Sequence, residues 1–124
     1  MQNLEMYEAK LNEKLSLVVA ELNQIASHND TTDDWEAVPE VMDSGDADEN
    51  THADASEELA NRTAMVATLE QDYRNLKLAL QKIAAGNYGI CEVSGEPIEE
   101  ERLNFKPDAR TCHAHMDEEA NLPI

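Results

Sequence analysis

NYGICEVSGEPIEEERLNFKPDARTCHAHM, residues 87–116, is the stretch on which the fold of this chain turns. It holds both cysteines, two glycines and two prolines. Cys91-x-x-Ser94-Gly95 is followed by 17 residues, counted from Gly95 to Thr111, and then by Cys112-x-x-His115. With cysteine in place of Ser94 this would be the paired C-x-x-C spacing of a structural zinc site. The spacing has a physical cause. Two ligands three positions apart grip one ion from a tight turn, a glycine eases that turn, and two such turns complete a tetrahedron.

Upstream of this stretch the texture is helical. Leu4, Tyr7, Leu11, Leu15, Val18, Leu22 and Ile25 recur at spacings of three and four, which predicts a coiled-coil helix over about 3–28. A second seam, Leu59, Val66, Leu69, Tyr73, Leu76, Leu80 and Ile83, has Arg62 at one seam position and predicts a helix over about 55–85. At 1.5 Å per residue that is roughly 45 Å long. Asp54, Ala55, Ser56 and Glu57 are expected at its N-terminal cap and Gly86 at its stop. Each helix alone would expose an apolar stripe, so an antiparallel hairpin burying both is the economical arrangement.

Between the seams lies an acidic segment, residues 29–54. No Lys or Arg occurs from residue 15 through 61, a span with 13 acidic residues. Such composition suits a solvated loop. Trp35, Val38, Val41 and Met42 argue that part of it packs, as a short helix folded back on the hairpin, with Pro39 limiting its regularity. Asp43, Asp46, Asp48, Glu49 and Asp54 would then form a charged tip at the far end of a rod, suited to a narrow basic or metal-containing channel.

YGIC-x-x-SG-x-PI-x-x-x-RL-x-x-x-P-x-AR-TC resembles the C-terminal zinc-finger module of the DksA/TraR family of bacterial RNA polymerase regulators. Tyr88, Gly89, Cys91, Gly95, Ile98, Arg102, Leu103, Pro107 and Cys112 stand at motif positions. The coiled-coil hairpin with an acidic tip is also that family's arrangement. The resemblance implies a mainly α fold: an antiparallel coiled-coil hairpin over 1–86, with its acidic tip at about 29–54, and a zinc-ribbon-like finger over 87–124. Two departures stand out. Ser94 and His115 occupy the second and fourth cysteine positions, which leaves Cys91, Cys112 and His115 as matching Zn2+ ligands. His113, beside Cys112, is an alternative fourth ligand at a strained spacing. In the tip, the family's Asp-x-x-Asp-x-Ala becomes Asp48-x-x-Thr51-x-Ala53, while Asp43-x-x-Asp46-Ala47 keeps both acids and moves the alanine.

Three states of the finger stay open at this point: a bound Zn2+, a metal-free finger packed by Ile90, Ile98, Leu103 and Phe105, and a reversible Cys91–Cys112 disulfide. Three protein ligands plus water would look like a catalytic zinc site, yet no general base accompanies them, and the expectation is no enzyme.

The composition narrows the partners. The 124 residues carry 27 Asp+Glu against 9 Lys+Arg, a formal charge of −18. Phosphate backbones repel such a chain, so no direct nucleic-acid binding is expected, and a basic protein surface is the natural target. No run approaches the roughly 20 apolar residues of a membrane span, and MQNLEMYEAKLNEK lacks the basic-then-apolar order of a signal peptide. The expectation is a cytoplasmic protein, monomer or weak dimer, that regulates transcription by binding RNA polymerase through its secondary channel without reading DNA sequence. The competing reading is an acidic coiled-coil adaptor or scaffold whose finger is a degenerate structural cap. Arg102, Lys106 and Arg110 either contact the partner or balance Glu99, Glu100 and Glu101.

Overall fold

The computed structural model describes residues 4–38 and 49–123, with the side chains of the second long helix described from residue 57 on. The elements in order are α1 (Leu4–Ile25), β1 (Ala26–Asn29), β2 (Asp34–Ala37), α2 (Glu49–Ala85), α3 (Glu100–Phe105) and a 3-10 helix (His113–Asn121). The fold is mainly α, a helical hairpin followed by a small finger. Among the described residues, no helix is long and apolar enough to cross a membrane.

The seams account for the two long helices. In α1, Tyr7, Leu11 and Leu22 are buried, and the other seam positions are half-buried. In α2, Val66, Tyr73 and Leu76 are buried, and Leu69, Leu80 and Ile83 half-buried. Each buried side chain of this size contributes about 1.5–3 kcal/mol. Leu59 is exposed, so the second seam closes only from Arg62 onward. Arg62 donates to the Val38 carbonyl (3.3 Å) and pairs with Glu58 one turn earlier (3.2 Å). These contacts explain a cation at a seam position.

Helix boundaries differ from expectation at two ends. α1 stops at Ile25 rather than near residue 28, because Ala26–Asn29 pair with Asp34–Ala37 in a β-ladder and the Asn29 side chain takes the N–H groups of Thr31 and Thr32. α2 begins at Glu49, so Asp54, Ala55, Ser56 and Glu57 lie within the helix instead of capping it. No Gly or Pro occurs between Glu49 and Ser56, and Ala53 and Ala55 favour continuation. At the other end Gly86 does stop the helix, at φ +85°. Its N–H donates to the Lys82 and Ile83 carbonyls (2.9 and 3.3 Å), and the Asn87 N–H donates to Lys82 (3.0 Å). That pair of bonds is a Schellman cap.

The chain forms two compact units, Met1–Leu17 with Tyr73–Ile124, and Val18–Asp72. In the first, Tyr7 sets its ring against Tyr88 (centroids 5.6 Å apart, planes at 47°) and donates its hydroxyl to Asn104 (3.3 Å). In the second, the segment expected to hold a short helix is instead an antiparallel β-hairpin pairing Ala26 with Ala37 and Asn29 with Asp34. Asn29 turns the chain: its side-chain oxygen accepts the N–H groups of Thr31 and Thr32, and Asp33 adopts φ 60°. Trp35, on β2, is 7% exposed and faces His28 across the ladder (ring centroids 4.5 Å apart). Its backbone N–H donates to the Glu70 carboxylate of α2 at 3.0 Å, which covers the sheet edge. Val38 is exposed, and Pro39, Val41 and Met42 lie outside the described residues.

Candidate metal centre

The finger begins directly after the Gly86 cap. Gly89, at φ +84°, accepts the Ile98 N–H (2.7 Å), and Ile90 bridges Pro97. Cys91 then opens a knuckle: its N–H donates to Glu96 (2.8 Å), and its carbonyl accepts the Gly95 N–H (2.9 Å). Gly95 sits at φ +74°, a left-handed conformation that explains the glycine there. The second half of the site comes from Cys112, which precedes the 3-10 helix. The His115 N–H returns to the Cys112 carbonyl (3.0 Å). Residues three apart eclipse in a 3-10 turn, so the two side chains stand together.

The structure brings Cys91, Cys112 and His115 into one cluster, their ligand atoms all within 4.8 Å of one another. His115 Nδ1 lies 3.2 Å from Cys112 Sγ and 3.9 Å from Cys91 Sγ. Tetrahedral zinc, with bonds of about 2.3 Å to sulfur and 2.0–2.1 Å to nitrogen, sets neighbouring donors roughly 3.6–3.8 Å apart. The observed separations bracket that span, so the donor set fits a zinc ion. The surroundings of Cys91 fit as well. Burial pushes its thiol up, but the Ser94 hydroxyl and the N–H groups of Cys112, Ser94 and Val93 outweigh it and bring the pKa down to about 6. A ring of donors around one sulfur suits a thiolate, the form that binds metal. His113 does not join the cluster: it is exposed, and its N–H donates to Glu99 (3.0 Å). Both cysteines are buried free thiols.

The finger also has a core that involves no metal. Ile98, Leu103, Pro107 and Thr111 are buried together with Tyr88, whose hydroxyl donates to the Pro107 carbonyl (2.7 Å). Of the four side chains expected to pack it, Ile98 and Leu103 do so, whereas Ile90 is exposed and Phe105 is 87% exposed. For Phe105 the reason is the length of its helix. α3 is six residues long and turns one face inward, the face that carries Leu103.

Sequence reading missed the charge network beside the knuckle. Arg110, only 4% exposed, grips Glu92 with two nitrogens (2.5 and 2.9 Å), reaches Asn75 of α2 (3.5 Å) and donates to the Pro123 carbonyl (2.6 Å). Lys82 joins Glu92 at 2.8 Å. The Arg110 hydrogen bonds hold the Glu92 carboxyl down to about 2 against the upward push of burial, with Lys82 adding to them. Glu119 collects Arg102 (3.3 Å), Lys106 (3.0 Å) and the Arg110 N–H. The three basic residues of the finger therefore bond to Glu92 and Glu119 rather than to Glu99, Glu100 and Glu101. The motif contained Arg110, but nothing in it pointed to Glu92.

The expected tip residues cannot be placed as a cluster. Asp43, Asp46 and Asp48 lie outside the described residues, and Glu49, Ala53 and Asp54 fall in the first turns of α2, where side chains are not described.

Residues 86–113 match the family described as the prokaryotic dksA/traR C4-type zinc finger, which bears out the resemblance read from the motif. A Caulobacter vibrioides protein named RNA polymerase-binding transcription factor DksA is 36% identical over 64 residues, 47% of this chain and 45% of that protein. The Bacillus subtilis protein YlyA is 31% identical over 67 residues, 51% of this chain and 54% of its own length. The chain thus aligns with about half the length of the curated relatives it matches. Transcription factor DksA2 from Pseudomonas aeruginosa is similar in structure, with a TM-score of 0.56 at 21% identity, covering 92% of this chain and 74% of that one. That is a likeness of fold.

Proposed function

We propose, from the match of residues 86–113 to the dksA/traR zinc-finger family, that this chain is a transcription regulator that binds RNA polymerase through its secondary channel. One observation carries the reading: over 64 aligned residues, 47% of this chain, it is 36% identical to a protein whose name states that it binds RNA polymerase. The formal charge of −18 supports a basic protein target and opposes direct contact with DNA, so promoter sequence is not read. In this reading Asp43, Asp46, Asp48, Glu49, Ala53 and Asp54 form the working tip, the hairpin and finger divide near residue 86, and the protein acts in the cytoplasm as a monomer or weak dimer. It performs no turnover of its own.

Cys91, Cys112 and His115 would hold a structural Zn2+, whose chemistry is to fix the knuckle and the start of the 3-10 helix as one piece. The residues of the chain do the rest. Gly95 allows the turn, the N–H groups of Val93, Ser94 and Cys112 face the Cys91 sulfur, and Arg110 ties the knuckle to Asn75 on α2.

Purified core RNA polymerase tests the proposal. The full chain should bind it, and a known secondary-channel ligand should compete. The triple substitution Asp46→Asn, Asp48→Asn and Asp54→Asn should abolish that competition. Absence of binding at micromolar concentration would leave the acidic adaptor reading in its place.

A further inference from the structure

We propose that an open groove on the second unit docks a basic amphipathic helix of a partner protein, apolar on one face with Lys or Arg flanking that face. The proposal does not depend on RNA polymerase being the partner. Glu21 of α1 and Ala64, Met65, Thr68 and Leu69 of α2 line the groove, which holds about 390 Å³. All five belong to Val18–Asp72. Met65 is 54% exposed, Ala64 and Thr68 are exposed, and Leu69 is half-buried. A single exposed methionine on a convex surface would mean nothing. Here it stands in a concavity whose α2 residues recur along one helical face. Two seams make a thin core, and a third helix laid along them is a common way to cover such a face. The shape suits one. Ala64 and Thr68, a turn apart, are small enough to admit the ridge of a neighbouring helix, and a methionine adapts to what packs on it.

Charge selects the kind of helix. Val18–Asp72 holds fifteen acidic residues and a single basic one, Arg62, so fourteen of the eighteen net negative charges fall there. The other unit offsets twelve acidic residues with eight basic ones. Arg62 is engaged by Glu58 and the Val38 carbonyl. Glu21 stands in the groove wall, and Glu58 and Asp72, seven residues to either side of Met65, are exposed on the same helical face. A second copy of the chain would bring a like charge to this surface and be repelled. A helix with an apolar face and cationic flanks matches both the floor and the rim.

The probe is a peptide of about 18 residues with leucine at helical i, i+3, i+4 and i+7 spacing and lysine elsewhere. Its control has the same composition with the leucines spread over every face. In the full chain labelled at its methionine methyls, the patterned peptide should shift Met65 and leave Met6 and Met116, in the other unit, unmoved. Met65→Gln keeps the charge and the helix propensity at an exposed position, and should weaken peptide binding about tenfold. Glu21→Gln should weaken it about threefold, a difference that shrinks in high salt. Equal binding of the patterned and control peptides would overturn the proposal, because bulk charge would then explain the attraction. Met65→Gln binding as the wild type does, or equal shifts at Met6, Met65 and Met116, would overturn it in the same way. A peptide with glutamate in place of lysine that binds as well would overturn the choice of a basic partner. Sedimentation showing a dimer that Met65→Gln dissociates would overturn it in favour of a second copy. Loss of polymerase binding in the separate test leaves this proposal standing, and failure here leaves the polymerase reading standing.

Discussion

The C-terminal finger and the β-hairpin of residues 26–37 are both short, turn-rich segments, and they are held in opposite ways. The finger desolvates its polar contacts: Arg110 is almost fully covered while it grips Glu92, and Leu103 and Thr111 beside it are fully buried. The hairpin keeps its polar contacts near solvent. His28 meets Asp30 at 3.0 Å and Asp33 at 2.7 Å, with Asp30 almost wholly exposed, and the apolar anchor is Trp35. Exposed ion pairs contribute little, whereas a covered pair is costly to break because the surviving partner is left without its counter-charge. Damage to the finger should therefore follow its charges, and damage to the hairpin its one large ring.

The largest effect is expected from Arg110→Ala, which removes the hydrogen bonds to Glu92, Asn75 and the Pro123 carbonyl at once and should cost the first unit at least about 3 kcal/mol in denaturant unfolding, even with Lys82 still beside Glu92. A cost below about 1 kcal/mol would mean that the finger is held by its apolar core alone. Trp35→Ala should come next, at about 3 kcal/mol, the low end for deleting a buried aromatic. Amide exchange should show that loss in β1 and β2, and protection surviving there would erase the contrast between the two regions. Acid provides a finer comparison. Glu92 titrates near 2 in the folded chain against an ordinary value of 4.5, so its contribution is complete above about 4.5 and disappears as pH falls toward 2. Thermal unfolding across that window should flatten in Glu92→Gln, and an unchanged slope would remove the Arg110 pair from the account. The smallest effect is Phe105→Ala, expected within about 0.5 kcal/mol because its ring faces water.

The long helices were legible because their seams repeat at three and four residues over many turns, and that signal survives local exceptions such as Arg62. The β-hairpin was not. Each strand has four residues, ASHN and DWEA, and alternation over so short a run is indistinguishable from chance even though burial does alternate along it. Asn29 and Asp30 did carry a turn signal, but the acidic surroundings read as loop. In the finger, the clustering of Cys91, Cys112 and His115 could be anticipated because two knuckles of ligand-like spacing, Cys91-x-x-Ser94 and Cys112-x-x-His115, mark the two halves of one site. The Arg110 contacts could not, since no spacing rule joins Arg110 to Glu92 or Asn75, 18 and 35 positions away. Phe105 misled because hydrophobicity alone does not say which face of a six-residue helix turns inward.

Lys82 has one further consequence. Its carbonyl accepts the N–H groups of Gly86 and Asn87 at the Schellman cap, and its ammonium reaches Glu92 in the knuckle. Fraying of the last turn of α2 therefore loosens the knuckle, and opening of the knuckle withdraws a support from that turn. The protons of residues 86, 87, 91 and 92 should leave for deuterium at a common rate, as one cooperative opening rather than two.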